Sequence, residues 1–282
     1  MEHPVRRVIS MAVFVMAWAA AAAAQQPAGA TRPFEILDNS FLVEEAYNQE
    51  SKIFQNIFGF VRSDAGDWSA SFTQEWPAPG VRHQLSYTLV FDNDTGPGGL
   101  GDLAMNYRYQ LRTGENGGTA VSPRVSLLLR PSRSDSGDAG HAGIELNFPV
   151  SHQYGDMYLH GNAGVRIYPS VDTGASRSSD DTSPAPRHVS LVSPFLAGSI
   201  ILRVRPMLNL MLESVAIFGE SIVEGSATSR ETTLILSPGS RFGWNIGDQQ
   251  VVLGVAVPFQ HGGGQTSTGL LGYASWELPF RH

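Results

Sequence analysis

The chain has 282 residues, no cysteine, a formal net charge of −7 and 16% charged residues. The negative charge argues against a nucleic-acid partner, which needs a basic surface, and the lack of cysteine excludes disulfides, thiolate metal sites and a lipidated N-terminus. After the N-terminal region no apolar run is long enough for a membrane-spanning helix, so any crossing of a membrane would use strands.

Residues 1–24 have the pattern of a secretory signal peptide. Arg6 and Arg7 precede an apolar run that ends in polyalanine, so the charged, apolar and small-residue regions come in the expected order. Cleavage near Ala24 or Ala30 is the favoured interpretation. An uncleaved anchor is the alternative, because the apolar run is close to spanning length. The pattern predicts export to the cell envelope.

Residues 25–50 form a linker followed by a segment, residues 34–50, in which neither the helical nor the strand period is clean. A short helix capped by Asn39 or Ser40 is one interpretation of that segment. From residue 51 to residue 282, by contrast, segments of roughly ten alternating residues are separated by turn residues, which is typical of a transmembrane barrel. The predicted strands, about twelve in number, are residues 51–61, 68–76, 82–91, 102–111, 121–130, 143–150, 157–168, 189–202, 207–216, 231–244, 250–259 and 270–280.

The last segment has one apolar face and ends in Phe280, followed only by Arg281 and His282. Lipid cannot tolerate the unpaired edge of a terminal strand, so the last strand must pair with the first. With the N-terminus in the periplasm, the connections alternate between short turns and longer polar loops such as residues 260–269, as in outer-membrane barrels. The first outer connection is short and departs from this trend. The sequence predicts an all-β, antiparallel transmembrane β-barrel.

The two faces of the predicted strands differ in polarity. Side chains expected to contact lipid include Trp68, Phe72, Leu85, Tyr87, Leu127 and Leu146. Charges that recur in mid-strand are costly toward lipid, so the opposite face should line the lumen. The candidate lumen residues are Arg82, Arg108, Arg124, Glu145, Asn147, Arg166, Glu213 and Arg241. These residues either fill a narrow barrel with ion pairs or line a polar path for a small solute, and both interpretations stay open.

Residues 34–50 are a candidate plug at the periplasmic mouth of this lumen. The segment combines apolar side chains with carboxylates, so it would expose apolar surface if it were free in the periplasm. The predicted lumen has more arginines than acids, and carboxylates of the segment would pair with the surplus. The candidate gate residues are Glu44, Glu45, Tyr47 and Glu50. The alternative is a periplasmic platform that only braces the first strand.

Three further motifs favour ordinary structural roles. Residues 96–101 match the letters of a dinucleotide-binding loop, but a strand follows where that loop opens a helix. Residues 92–94 resemble the start of a calcium loop without its later Gly and Glu positions. His160 and Asn162 resemble catalytic residues of outer-membrane phospholipases, but they share a face with Arg166, whereas such enzymes need a lipid-facing Ser–His pair. The sequence predicts no catalytic residue, no cofactor and no metal site.

Several stretches resemble transporters associated with meta-pathway phenol degradation in Gram-negative bacteria. They are FLVEEAYNQE (residues 41–50), SFTQEW (71–76), RHQL (82–85), NYRYQL (106–111), VRPMLNL (204–210) and ELPF (277–280). The resemblance implies an outer-membrane barrel that passes small solutes, aromatic compounds among them, and it implies no catalytic residues. It also implies outer-membrane lipids and a small solute as partners. The last strand resembles the closing strand of Gram-negative outer-membrane barrels, and this likeness implies the barrel-insertion machinery as a further partner.

The leading prediction is therefore a non-enzymatic outer-membrane channel or uptake barrel, exported by its signal peptide. The first alternative is a structural or assembly barrel with a plugged lumen. The second, less favoured, is a barrel enzyme that acts on lipid.

Overall fold

The computed structural model describes residues 34–36, 40–93, 99–130, 141–172, 188–223 and 227–280. The signal peptide predicted for residues 1–24 lies outside these ranges, as do residues 25–33 of the linker. The described residues are almost entirely strands, with one turn of 3-10 helix at Glu115–Gly117. The strands are β1 (Ile53–Ser63), β2 (Trp68–Pro77), β3 (His83–Asp92), β4 (Gly99–Tyr109), β5 (Arg112–Thr113), β6 (Ala120–Val121), β7 (Arg124–Arg130), β8 (His141–Tyr154), β9 (Met157–Asp172), β10 (His188–Arg205), β11 (Leu208–Val223), β12 (Ala227–Ile246), β13 (Gln249–Ala256), β14 (Phe259–Gly262) and β15 (Gln265–Pro279).

The strands close into a single antiparallel barrel. Strand β1 pairs with β15 over its whole length, from Ile53 opposite Pro279 to Ser63 opposite Gly269. Strands β8 and β9 complete the circuit. Strands β13 and β14 keep one register along β12 and β15 across the break at Pro258, so they act as one spanning strand. With β5 and β6 forming only a small hairpin, the barrel has twelve strands, and the predicted fold class is confirmed.

Three local features differ from the sequence-based expectation. The fifth predicted strand is divided at Ser122 and Pro123, because proline cannot donate to the ladder. The long loop predicted at residues 260–269 is instead a tight turn at Gly263 and Gly264, both with positive φ (56° and 73°), as a two-residue hairpin turn requires. The short helix suggested near Asn39 or Ser40 does not form over residues 40–50, which run as irregular backbone.

A belt of large apolar side chains covers the outer surface. Leu127 and Leu146 remain 44% and 48% exposed although they lie in mid-strand, and Phe58 is half exposed with its ring 4.9 Å from that of Phe72. Leu85 is also exposed, so these side chains lie on the face that the alternation predicted. Among the described residues, none belongs to a helix that is both long and apolar enough to cross a membrane.

The inner surface carries many buried polar side chains, but part of it is apolar. There, Ile36 and Phe41 of the N-terminal segment contribute to an apolar cluster with inward-facing side chains of the barrel wall. The wall members of this cluster are Met207, Val252, Ala256, Leu271 and Tyr273. Because this cluster joins wall to segment, the segment is part of the interior of the protein.

Candidate functional site

The N-terminal segment enters the barrel at the end that carries the short turns. At this short-turn end the Ile36 backbone N–H donates to the Pro206 carbonyl (3.2 Å), and Glu35 forms an ion pair with Arg203 (2.7 Å). The chain then reaches into the lumen and returns to the same end, where it enters β1. We call residues 40–50 the plug segment. The structure thus places the candidate plug inside the lumen.

Inner-facing glycines make room for the plug segment. A Cβ atom on Gly254 would collide with the Phe41 ring, and one on Gly239 would lie 3.2 Å from it. The same ring packs against Tyr273, with centroids 4.8 Å apart. Closer to the short-turn end, a Cβ atom on Gly243 would lie 3.1 Å from Ile36. Strands β12 and β13 therefore carry a groove that is shaped to this segment.

A buried carboxylate of β11 holds the first bend of the plug segment. One oxygen of Glu213 accepts hydrogen bonds from three consecutive backbone N–H groups, those of Phe41 (3.1 Å), Leu42 (2.9 Å) and Val43 (3.1 Å). Backbone N–H groups arranged in this way form an anion-binding concavity. Glu213 therefore fastens irregular backbone that would otherwise have unsatisfied donors inside the barrel.

The Glu44 side chain lies between three polar side chains of the opposite wall. Its carboxylate accepts from Arg108 Nη1 (3.1 Å) and Asn147 Nδ2 (2.8 Å). Arg124 Nε lies 2.8 Å from the same carboxylate, an ion-pair distance, although its N–H is not aligned for a hydrogen bond. The Glu44 backbone is also bonded in both directions to the Asn162 amide, at 2.8 and 2.7 Å. Glu44 is thus bound by β4, β7, β8 and β9 together.

The returning part of the plug segment is held mainly through its backbone. Arg108 donates to the carbonyls of Glu45 (3.0 Å) and Tyr47 (2.7 Å) and to the Asn48 side chain (3.0 Å). The Ala46 carbonyl accepts from Gln110 Nε2 and Ser122 Oγ, both at 2.6 Å. These bonds replace the hydrogen bonds that a strand or helix would supply, which explains how irregular backbone is stable there.

Tyr47 and Glu50 are the remaining candidate gate residues. Burial, and next the carboxylate of Glu45, raise the pKa of the Tyr47 phenol above its usual value. Glu50 is exposed where the plug segment joins β1, and its carbonyl accepts from the Ile53 N–H (3.3 Å). Tyr47 therefore belongs to the buried part of the plug segment and Glu50 to its anchor.

The side chains of Ser151, His160 and Glu45 lie in a row, in the order serine, histidine, carboxylate that a hydrolytic triad has. Ser151 Oγ lies 2.8 Å from His160 Nδ1, and His160 Nε2 lies 3.6 Å from Glu45 Oε1. However, the serine is completely buried, its oxygen accepts the Ala46 N–H (2.8 Å), and the histidine is on the inner face. A nucleophile needs access to substrate, so these three side chains are better explained as contacts that hold the plug segment in place.

Two cavities lie on either side of the plug segment near Leu42 and Glu44. The first, of about 300 Å³, lies toward the long-loop end and has one polar and one apolar wall. Its polar wall contains Arg124, Glu145, Asn147 and Arg166, and its apolar wall contains Phe195, Val215, Ile217 and Ile235. We call this cavity the vestibule. The second, of about 370 Å³, is lined by the plug segment and by a wall that includes hydroxyl and charged groups of β2, β3 and β4.

Most of the predicted lumen residues surround the plug segment. Glu145 joins Arg124 (2.6 Å) to Arg166 (2.7 Å) on the vestibule wall, and Arg241 is buried on the inner face of β12. Arg82 is placed differently from these residues. Strand β3 begins one residue later, at His83, so Arg82 is exposed in the preceding turn. Within the described ranges, no three His, Asp or Glu side chains are grouped to hold a metal ion.

The sequence pattern did not predict the apolar wall of the vestibule. Phe195, Val215, Ile217 and Ile235 face inward, and none of them was among the predicted lumen residues. The signal that could have located them is register: Phe195 is four residues from the inner-facing Ser199 on the same strand. The glycines that lie against Phe41 also face inward, but a glycine in a sequence does not show which side chain will pack against it.

No protein-family model and no curated protein matches the chain. Solved structures of other barrels are similar to it. The NanC porin is 8% identical over 80% of this chain and 100% of that one, with a TM-score of 0.47. The CymD monoaromatic hydrocarbon channel is 8% identical over 83% and 90%, with a TM-score of 0.39. The translocator domain of autotransporter NalP from Neisseria meningitidis is 10% identical over 81% and 87%, with a TM-score of 0.40.

Proposed function

We propose that this protein is a channel or uptake protein of the Gram-negative outer membrane that passes small solutes and is closed by its own plug segment. The exposed apolar belt supports a membrane location, because a soluble protein rarely leaves such a large apolar surface uncovered. Closure of the barrel also leaves none of its twelve described spanning strands at the edge of an open sheet, as lipid requires. The short-turn end would then face the periplasm.

The observation that carries this proposal is the plug segment inside the barrel. Ser40 to Asn48 contact strands on opposite sides of the lumen, for example Glu213 of β11 and Arg108 of β4. Beyond the segment, the vestibule has room for a small molecule. A solute-sized cavity above a non-covalent obstruction is the arrangement that a gated channel needs.

The finer proposal concerns the solute. Phe195, Val215, Ile217 and Ile235 offer a flat apolar surface opposite hydrogen-bonding groups, which would suit a small aromatic molecule with one polar group. The resemblance to phenol-degradation transporters points to the same class. The proposed activity is transport without catalysis, supported by the full burial of Ser151 behind the plug segment.

The second candidate is a structural barrel whose plug segment never leaves. The number of bonds to Arg108 favours it, because that one side chain holds Glu44, Glu45, Tyr47 and Asn48. Removal of the plug segment would open either kind of barrel. The two candidates are separated by the conductance of the intact protein and by its reversible loss when the plug segment is locked.

The test is a cysteine pair in this cysteine-free chain. Ser40 Oγ lies 3.2 Å from Ser199 Oγ of β10, so Ser40→Cys with Ser199→Cys should form a disulfide that fixes the plug segment. In planar bilayers we expect stepwise conductance from the reduced protein, loss of conductance on oxidation and recovery with reductant. The two single cysteine variants serve as controls.

A deletion variant decides between the gated channel and the structural barrel. Deletion of residues 34–49 should give a folded barrel with higher conductance than the intact protein. If the intact protein is silent under all conditions while the deletion conducts, the structural plug is correct. If the deletion is folded and silent, the channel proposal is overturned. Release of fatty acid from phospholipid by the intact protein would contradict the absence of catalysis.

A further inference from the structure

The wall that binds Glu44 has the composition of a carboxylate-binding site. Arg108 and Arg124 lie 3.1 and 2.8 Å from its two oxygens, and Asn147 donates a further hydrogen bond at 2.8 Å. These three groups belong to the barrel, whereas Glu44 belongs to the plug segment. Arg–carboxylate contacts of this kind are among the stronger polar contacts in proteins. The wall would therefore bind another carboxylate once Glu44 had left.

This binding site opens directly onto the apolar wall of the vestibule. Glu44, Arg124 and Asn147 line the same cavity as Phe195 and Ile217, and Leu42 of the plug segment lies beside them. A molecule whose carboxylate replaced that of Glu44 could place an apolar body against this wall. Neither a fully polar solute nor an uncharged hydrocarbon would use both surfaces.

The charges of the wall favour an anion. Arg124 and Arg166 line the vestibule together with Glu44 and Glu145. Arg108 and Glu75 line the second cavity, which Glu44 and Arg124 also border. Without Glu44 these arginines outnumber the two remaining acids by one. Glu145 is already shared by Arg124 and Arg166, and Glu75 accepts a hydrogen bond from Gln84 (2.7 Å). An entering anion would restore the balance, whereas an amine would not.

We infer that the wall formed by Arg108, Arg124 and Asn147 recognises a small organic monocarboxylate with an apolar body, and that Glu44 occupies this site as an internal competitor. The ligand and Glu44 use the same donors, so binding of the ligand displaces Glu44 and favours release of the plug segment. This inference rests on the proposed channel function and adds the ligand class and the trigger.

The test is calorimetric titration of the purified full-length mature protein in detergent with cyclohexanecarboxylate. Cyclohexanecarboxamide has the same shape without the charge and is the control ligand. Glu44→Ala should bind the carboxylate at least about tenfold more tightly than the unchanged protein, because the internal competitor no longer reduces the fraction of free sites. Glu44→Gln should also bind more tightly, and Glu50→Gln, at the exposed end of the plug segment, should bind as the unchanged protein does.

Arg124→Gln combined with Glu44→Ala should abolish the gain. A heat-dependent gel shift identifies variants that have folded. Equal binding of the carboxylate and the carboxamide, or equal binding by folded Glu44→Ala, Glu44→Gln and unchanged protein, would overturn the inference. Either result would leave the channel proposal intact, since that proposal depends on conductance and on the cysteine lock. Silence of the plug deletion in bilayers would overturn the channel without affecting the binding result.

Discussion

At the scale of single residues, the interior of this barrel is organised by what the plug segment needs. Glu213 satisfies three backbone donors with one oxygen, and Arg108 satisfies several acceptors with one guanidinium. Arg108 suits this role because its planar group has five donors in a fixed arrangement. The inner-facing glycines act by leaving space, and Gly254 is the one that Phe41 approaches most closely.

Gly254→Leu should therefore unseat the plug segment and leave the barrel folded. The new side chain would occupy the position of the Phe41 ring, and overpacking of such a contact typically costs about 1–3 kcal/mol. We expect higher conductance and faster proteolysis within residues 40–50, measured in bilayers and by mass spectrometry. The matched control is Gly272→Ala on β15, where a Cβ atom meets open space. Equal behaviour of the two variants would mean that Phe41 is not essential for seating.

At the scale of elements, each strand separates two environments by its alternation. In β7, Leu127 points outward and is 44% exposed, whereas its neighbour Ser126 points inward and is 1% exposed. The alternation predicted the outward side chains on β2, β3, β7 and β8 correctly. An error of one residue in the assignment would have exchanged the two faces of each strand. It was less informative on β10 to β12, where both faces carry large apolar side chains.

Leu127→Arg should destabilise the folded barrel by about 2–4 kcal/mol if Leu127 lies near the midplane of the bilayer. The reason is that an arginine at this depth would have its charge in lipid. The measurement is equilibrium unfolding in vesicles. Thr88→Arg, on the inner face beside the hydroxyl-lined cavity, is the control and should cost less. Similar costs for both variants would show that the assigned faces are wrong.

At the scale of the whole molecule, closure between β1 and β15 defines the protein. Phe54, near the start of β1, and Phe280, just after β15, pack with ring centroids 4.6 Å apart, so the two ends of the chain of strands meet in an aromatic contact. The plug segment leads directly into β1, and its position is therefore coupled to the closing pair of strands. The fold therefore places the plug segment next to the pair of strands that closes the barrel.

The proposed location can be tested on the intact protein. The mature chain should remain with the outer membrane in urea and should migrate faster on gels when it is not heated, because a barrel closed by the pairing of its first and last strands resists unfolding. Membrane fractionation followed by electrophoresis of heated and unheated samples measures both properties. Recovery from the soluble periplasmic fraction would contradict the location.

The sequence by itself determined the barrel, its approximate strand number and the side of most strands that faces lipid, because these depend on a local period of two that is visible without any partner. It also identified Glu44 as a candidate gate residue, from the composition of residues 34–50 and their place before the first strand. Only the tertiary structure decided what that residue contacts. Its partners Arg108, Arg124 and Asn147 come from three strands that are distant in sequence. The same holds for the seat of Phe41 and the apolar wall of the vestibule, since a lumen takes its shape from the order and stagger of all the strands at once, which no local pattern encodes.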